Sequence, residues 1–255
     1  MNAVASFISE YIFLYIWLIT TTFINIMAPT SGSMIINPVT AFFTDPQRAI
    51  GIGAFIFFIT GLHRVYLFRK EIFQDKKNVK TIKTMLPFSA LGAVVGGTLI
   101  SYLNAKLLAG IVIVASCFFV FKTLRRLSVT IEHKEGSKKS LISVAFLSGF
   151  LQGGGLSGAD LRNNYLRSIV SEVSVRAVGS ATGLMVFFIT GTIIFFHNFL
   201  KSSDVILILT LIPFLIFAQI YGKKFLHKMK DRNAKILSIA LSLVGIALLA
   251  YKYFL

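Results

Sequence analysis

The sequence predicts an all-α polytopic membrane protein built as two inverted repeats, each a discontinuous, re-entrant helical hairpin followed by three membrane-crossing helices. Three observations predict it. Of the 255 residues, 55% are hydrophobic and 14% charged, with a mean hydropathy of +0.78, whereas a soluble domain carries about 25% charged residues. Apolar runs of the roughly 17–25 residues that cross a bilayer recur along the chain. Short motifs of the first half also return, in order, in the second. This composition excludes a secreted disulfide scaffold, a soluble enzyme and a disordered regulator. Cys117 is the single cysteine, so no intrachain bridge can form.

The elements follow in chain order. About eight main apolar stretches fall at 7–28, 48–68, 85–103, 107–124, 140–153, 177–199, 204–221 and 236–254, with a shorter one at 34–44. Residues 1–10 lack the basic start of a cleaved signal, and the run from Tyr11 exceeds a typical signal core, so Phe7–Met27 reads as a retained segment. Pro29 and Gly32 break that segment, and Ser31 and Ser33 can cap a helix restarting near Met34. The second-half break is Gly153-Gly154-Gly155, and the stretch 156–176 after it is too polar to face lipid.

Charge gives the direction of each element. The net charge of +16 raises the question of nucleic acid, but 22 of the 26 lysines and arginines lie in 62–84, 122–140, 161–176 and 222–235, between spans. The positive-inside rule accounts for them, and no nucleic-acid partner is expected. Placing all of them on the cytoplasmic side makes 140–170 a re-entrant hairpin, and non-helical backbone at membrane depth requires a protein or water-filled surround. The sequence therefore divides into a first repeat, 1–126, a basic cytoplasmic linker, 127–139, and a second repeat, 140–255.

The duplication rests on four pairs. Phe57-Phe58-Ile59-Thr60-Gly61 recurs as Phe187-Phe188-Ile189-Thr190-Gly191, and Arg48-Ala49-Ile50-Gly51 as Arg176-Ala177-Val178-Gly179. Leu86-Pro87-Phe88 pairs with Ile212-Pro213-Phe214, and Asn104-Ala105-Lys106 with Asn233-Ala234-Lys235. Arg48 and Lys106 fall outside while Arg176 and Lys235 fall inside, so the copies have opposite senses. Inverted repeats with interrupted helices near the midplane are transporter architecture, with the substrate at the repeat interface.

The two breaks are the candidate site. Three successive glycines are expected to leave backbone amides accessible, and two facing helix N-termini form a positive pocket for a small anion. Arg162 adds a forked donor. The substrate-binding candidates are Ser31, Gly32, Ser33 and Asn37 in the first half. In the second they are Gln152, Gly154, Gly155, Ser157, Gly158, Arg162 and Asn163. Asp160 either pairs with a basic group to hold the hairpin or carries a coupling proton; His63 is the other proton candidate. The four histidines, 63, 133, 197 and 227, are scattered, with no metal motif and no paired carboxylates. No nucleotide-binding signature occurs either. No cofactor, metal or catalytic residue is expected, and the chain is not read as an enzyme.

Helix, glycine break and capped short helix, once in each half, resembles the sulfite exporter TauE/SafE family of four-plus-four-segment anion transporters. Ser31-Gly32-Ser33, then Pro38 and Arg48-Ala49-Ile50-Gly51, fit the family frame. So do Gly149-Phe-Leu-Gln152-Gly153, Leu156-Ser157-Gly158-Ala159 and Arg176–Ser180 in the second half. The basic loop before Thr84-Met-Leu-Pro87 and the glycine-rich span Gly92–Gly97 fit as well. Two departures bear on the substrate: the first break has one glycine, and Asp160-Leu-Arg162-Asn163 stands where the family is usually apolar. The resemblance implies proton-coupled secondary transport of a small sulfur-containing anion (sulfite, a sulfonate such as sulfoacetate, or thiosulfate) by alternating access in a bacterial cytoplasmic membrane. A passive anion channel and an intramembrane enzyme are the alternatives. The expected partners are the anion, the lipid bilayer and, left open, further copies of the chain.

Overall fold

The computed structural model describes residues 2–27, 32–125, 138–225 and 231–255. They form α1 (Asn2–Met27), α2 (Ser33–Phe43), α3 (Pro46–Leu67), α4 (Arg69–Gln74), α5 (Lys76–Ser101), α6 (Ala105–Arg125), α7 (Lys138–Gly153), α8 (Gly158–Arg167), α9 (Glu172–Phe196), α10 (Ser202–Phe225) and α11 (Asp231–Phe254). No strand occurs among them. Six helices (α3, α5, α6, α9, α10 and α11) are long and apolar enough to cross a membrane, and α1 and α2 contribute shorter apolar stretches. Ser31 and Pro29, and residues 127–137 of the linker, lie outside the described residues. The short α4, in the basic loop after α3, is an element the hydropathy pattern does not reveal.

In each half a longer helix is followed by a short one and then by three long ones, with α4 inserted after the first of these in the first half alone. Local chemistry sets the ends. Pro46 opens α3, where a missing amide hydrogen costs nothing. Asp75 accepts from Lys77 N at the start of α5, and Ser171 accepts from Ser174 N at the start of α9. The glycine run ends α7 in a Schellman turn: Leu156 N donates to Leu151 O (2.7 Å), Gly155 N to Gln152 O (3.0 Å) and Gly154 N to Phe150 O (2.9 Å). Gly155 takes φ +73°, so only this position of the three demands glycine for its backbone. The expectation of free amides in this run is therefore corrected. Those of Gly154, Gly155 and Leu156 are consumed by α7's own carbonyls.

Helices α3 and α9 cross antiparallel, with Gly51 against Ile194, Gly61 against Leu184 and Gly191 against Phe55. At their crossing Phe57 stacks on Phe187 (centroids 4.8 Å) and Phe58 meets Phe188 in a tilted arrangement (5.3 Å). These are matched positions of the repeated motif. The long arm of each hairpin packs on a crossing helix of the other half. For α7 on α5 the contact is backbone on backbone. A Cβ at Gly92 or Gly96 would lie 2.1 Å from the carbonyl of Phe146 or Phe150, and one at Gly149 2.1 Å from that of Ser89. Small residues at four-residue spacing allow this approach. The α1 arm lies along α10, where Tyr15 bonds Thr210 and Gly222 meets Ile26.

Two ends result. Asn78 Nδ2 donates to Ser174 Oγ (2.9 Å), so the starts of α5 and α9 meet at the end that carries the basic loops. Gln47 Nε2 donates to Leu103 O (2.6 Å) at the opposite end. Between them, Leu14, Leu18, Ile36, Ile52, Ile56, Leu211 and Leu215 form a buried hydrophobic core. Val114, Phe118, Phe214 and Phe217 point outward, as the lipid face of a membrane bundle requires.

Candidate functional site

A cavity of about 80 Å³ opens where α3 and α9 meet both helix breaks. About 10–15 Å³ on this measure holds one water, so the space suits a small solute. Phe57 and Phe187 form its floor, and Asn25, Ser33, Gln152, Asn163 and Ser180 supply neutral polar groups. Three arginines reach it: Arg64 from the last turn of α3, Arg162 from α8 and Arg176 from the first turns of α9. No Asp or Glu is among its described lining residues.

Arg162 is 4% exposed, and its Nη1 donates to Gln152 Oε1 at 3.0 Å. Among the described residues its Nε has no hydrogen-bond partner, and neither do Arg64 Nε and Nη2, all buried. Arg176 Nη1 donates to Ile26 O (3.3 Å) near the end of α1. Asn163 Oδ1 is a buried acceptor without a partner among the described residues, lying against Gly179. Gly179 leaves room for α8, since a Cβ there would crowd Asn163 Oδ1 at 2.9 Å, while one at Gly183 would be in ordinary contact with the Arg162 guanidinium at 3.4–3.5 Å. Gly32 leaves room at the first break: a Cβ there would overlap Asn25 Nδ2 at 2.2 Å and Phe57 at 2.8 Å. Buried donors left unmade cost about 1–3 kcal/mol each, more when charged. A cavity reached by three guanidinium groups, with no carboxylate among its described lining residues, is suited chemically to an anion.

Of the residues expected from sequence, Gly32, Ser33, Gln152, Arg162 and Asn163 line this cavity. Asn37 and Gly155 instead line a void of about 10 Å³ behind the Phe57–Phe187 pair, which Ser33 and Gln152 also reach. There the hairpins hold each other: Asn37 Nδ2 donates to Gly155 O (2.8 Å) and Ser33 Oγ to Leu156 O (3.2 Å). Gly154, Ser157 and Gly158 line neither space. A Cβ at Gly158 would meet Ser148 O at 2.0 Å, so that glycine lets α8 fold back on α7. Ser157 Oγ donates to Asp160 Oδ2, and Asp160 does not line the cavity. His63 Nδ1 lies 2.7 Å from Gln219 Oε1 on α10, also away from it. Among the described residues no cluster of three or more His, Cys, Asp or Glu could hold a metal ion.

Sequence reasoning missed Asn25, Ser180, Arg64 and Arg176 as lining residues. The arginines were absorbed by the positive-inside count. The signal was helical spacing from the repeated motif. Phe57, Gly61 and Arg64 share one face of α3, and Arg176, Gly179, Gly183 and Phe187 one face of α9. Filling that face is a direct test. Gly183→Leu places its first carbon in ordinary contact and the rest in the cavity. It should lower affinity for the bound solute at least ten-fold by calorimetry while the protein still melts cooperatively; unchanged affinity would place binding elsewhere.

A family model described as Sulfite exporter TauE/SafE matches residues 13–249. Neither the curated proteins nor the solved structures contain a match to the chain.

Proposed function

The chain belongs to the sulfite exporter TauE/SafE family of membrane transporters, and from that premise we propose that it is a secondary transporter of a small sulfur-containing oxyanion. Sulfite, a sulfonate such as sulfoacetate, and thiosulfate are the candidates. The observation that carries the reading is the pair of buried arginines, Arg64 and Arg162, with donors that lack partners among the described residues, in a cavity with no carboxylate among its described lining. A sulfur oxyanion offers two or three oxygens from one centre, which suits forked donors converging from three helices.

In this reading the basic loops face the cytoplasm of a bacterial cell, by the positive-inside rule, and the cavity opens on that side. The matched halves, meeting at Phe57 and Phe187, are inverted repeats that rock to expose the anion alternately to each side. The phenylalanine pair and the locked hairpins behind it favour such a cycle over a channel, because the polar path is interrupted there. Asp160 and His63 remain the candidates for a coupling proton, acting from outside the anion cavity.

The test is thermal melting of the detergent-purified protein against sulfite, thiosulfate, sulfoacetate, taurine, sulfate, acetate and lactate. A ligand that binds only the folded state raises the melting temperature with concentration. One or more sulfur oxyanions should do so. Shifts from carboxylates alone would discard the sulfur assignment, and no shift from any anion would discard the anion reading.

A further inference from the structure

The end opposite the cavity is held shut by contacts between the two halves, one of them an ion pair. Arg48, in the first turn of α3, donates through Nε (3.1 Å) and Nη2 (2.7 Å) to the two carboxylate oxygens of Asp204 on α10. The pair is nearly enclosed, its side chains 13% and 4% exposed, and Lys201 N donates to the same carboxylate at 2.8 Å. Alongside it, Lys252 Nζ on α11 donates to the carbonyls of Ala41 (3.0 Å) and Thr44 at the end of α2. A helix C-terminus favours a cation there.

The repeat gives this pair a counterpart at the cavity end. Arg48 corresponds to Arg176 through the Arg-Ala-x-Gly motif, and Arg176 lines the cavity. Asp204 corresponds to Asn78 through the Leu-Pro-Phe and Ile-Pro-Phe motifs. Asn78 is neutral, and its Nδ2 is bonded to Ser174 Oγ and Glu71 O. Matched positions thus differ by one carboxylate. Where it is present, the mouth is closed and the arginine is paired with it. Where an amide replaces it, the arginine lines the open cavity. Arg64 has no basic counterpart, its matched position being Ile194.

We propose that Arg48 is the anion-contacting residue of the opposite mouth, masked here by Asp204, and that parting of the Arg48–Asp204 pair is the gate on that side. The inference rests on the transporter reading above. When α3 separates from α10, Arg48 takes the role that Arg176 has at the basic end. Asp204 competes with the anion for it, so the anion is held less tightly there than among three arginines.

The gate is read by cysteine accessibility, which needs no substrate. Ile50 lines the void behind the phenylalanine pair. In a Cys117→Ser, Ile50→Cys protein, a membrane-impermeant maleimide is applied from outside to intact cells. Labelling should be slow with the pair intact and at least ten-fold faster in Asp204→Asn. The double reversal Arg48→Asp with Asp204→Arg should restore protection that each single reversal loses. Purified Asp204→Asn must retain a cooperative melting transition. Equal labelling with and without Asp204, or fast labelling only in a protein that no longer melts cooperatively, would overturn the proposal. Either result would leave anion binding at Arg64 and Arg162 standing, because that is measured separately in the purified protein.

Discussion

Arg162→Ala should weaken anion binding by one to two orders of magnitude while leaving the ligand-free protein close to its original stability. The guanidinium is buried, its Nε is unpartnered among the described residues, and Arg64 and Arg176 line the same cavity. Removing it relieves the desolvation of a buried charge, which offsets the lost bond to Gln152 and the lost attraction to Asp160. Without anion, the melting temperature should move by no more than a few degrees. With anion, a charged hydrogen-bonded contact worth about 1.5–3 kcal/mol disappears, equivalent to roughly 10–150-fold in affinity. Arg162→Lys should recover only part of this, because lysine keeps the charge and loses the fork. Calorimetry with sulfite, beside melting with and without it, separates the two effects. A merely structural arginine would give the reverse pattern, a large fall in ligand-free stability with affinity intact.

The second large effect is expected at the α5–α7 contact. Gly96→Val places a Cβ 2.1 Å from Phe150 O and 3.0 Å from Gly154 N, both backbone atoms that no rotamer change can move. The helices must separate, and overpacking of this kind costs about 1–3 kcal/mol or more. That corresponds to a fall of roughly 2–12 °C in melting temperature for a chain of this size. Because α7 runs directly into Gln152, which bonds Arg162, anion affinity should fall as well. Gly110→Ala is the control: its Cβ would meet only Phe254, at 3.5 Å, and melting should be unchanged. Equal melting of the Gly96 and Gly110 variants would show that α5 and α7 are not in backbone contact.

These two sites differ in how far the sequence reveals them. Gly92 and Gly96 are legible as a close helix contact from spacing alone, and the partner glycines on α7 belong to the segment already marked as a hairpin. The repeated Phe-Phe-Ile-Thr-Gly motif announces a duplication, and the structure brings its phenylalanines into contact. Arg162, Gln152 and Asn163 are legible because polar groups clustered at membrane depth need a use. Arg64 and Arg176 are hidden by an adequate rival explanation, since a basic residue at the end of a span is what topology requires. Only tertiary packing decides whether such a side chain turns inward. The glycine run misleads for a related reason. Glycine permits an exposed amide, but it equally permits the Schellman turn that consumes one, and Gly155 takes the second course. Asn37 lies in an apolar helix, and no local pattern says that it reaches Gly155 in the other half.

Counterflow in proteoliposomes tests transport most directly. Vesicles containing the purified protein and preloaded with unlabelled sulfite are diluted into a trace of radiolabelled sulfite. A carrier that alternates its site between the two sides must accumulate label transiently above the outside concentration, and Arg162→Ala must not. Label that only equilibrates, without overshoot, would make the protein a channel, and label that does not enter would remove sulfite as the cargo.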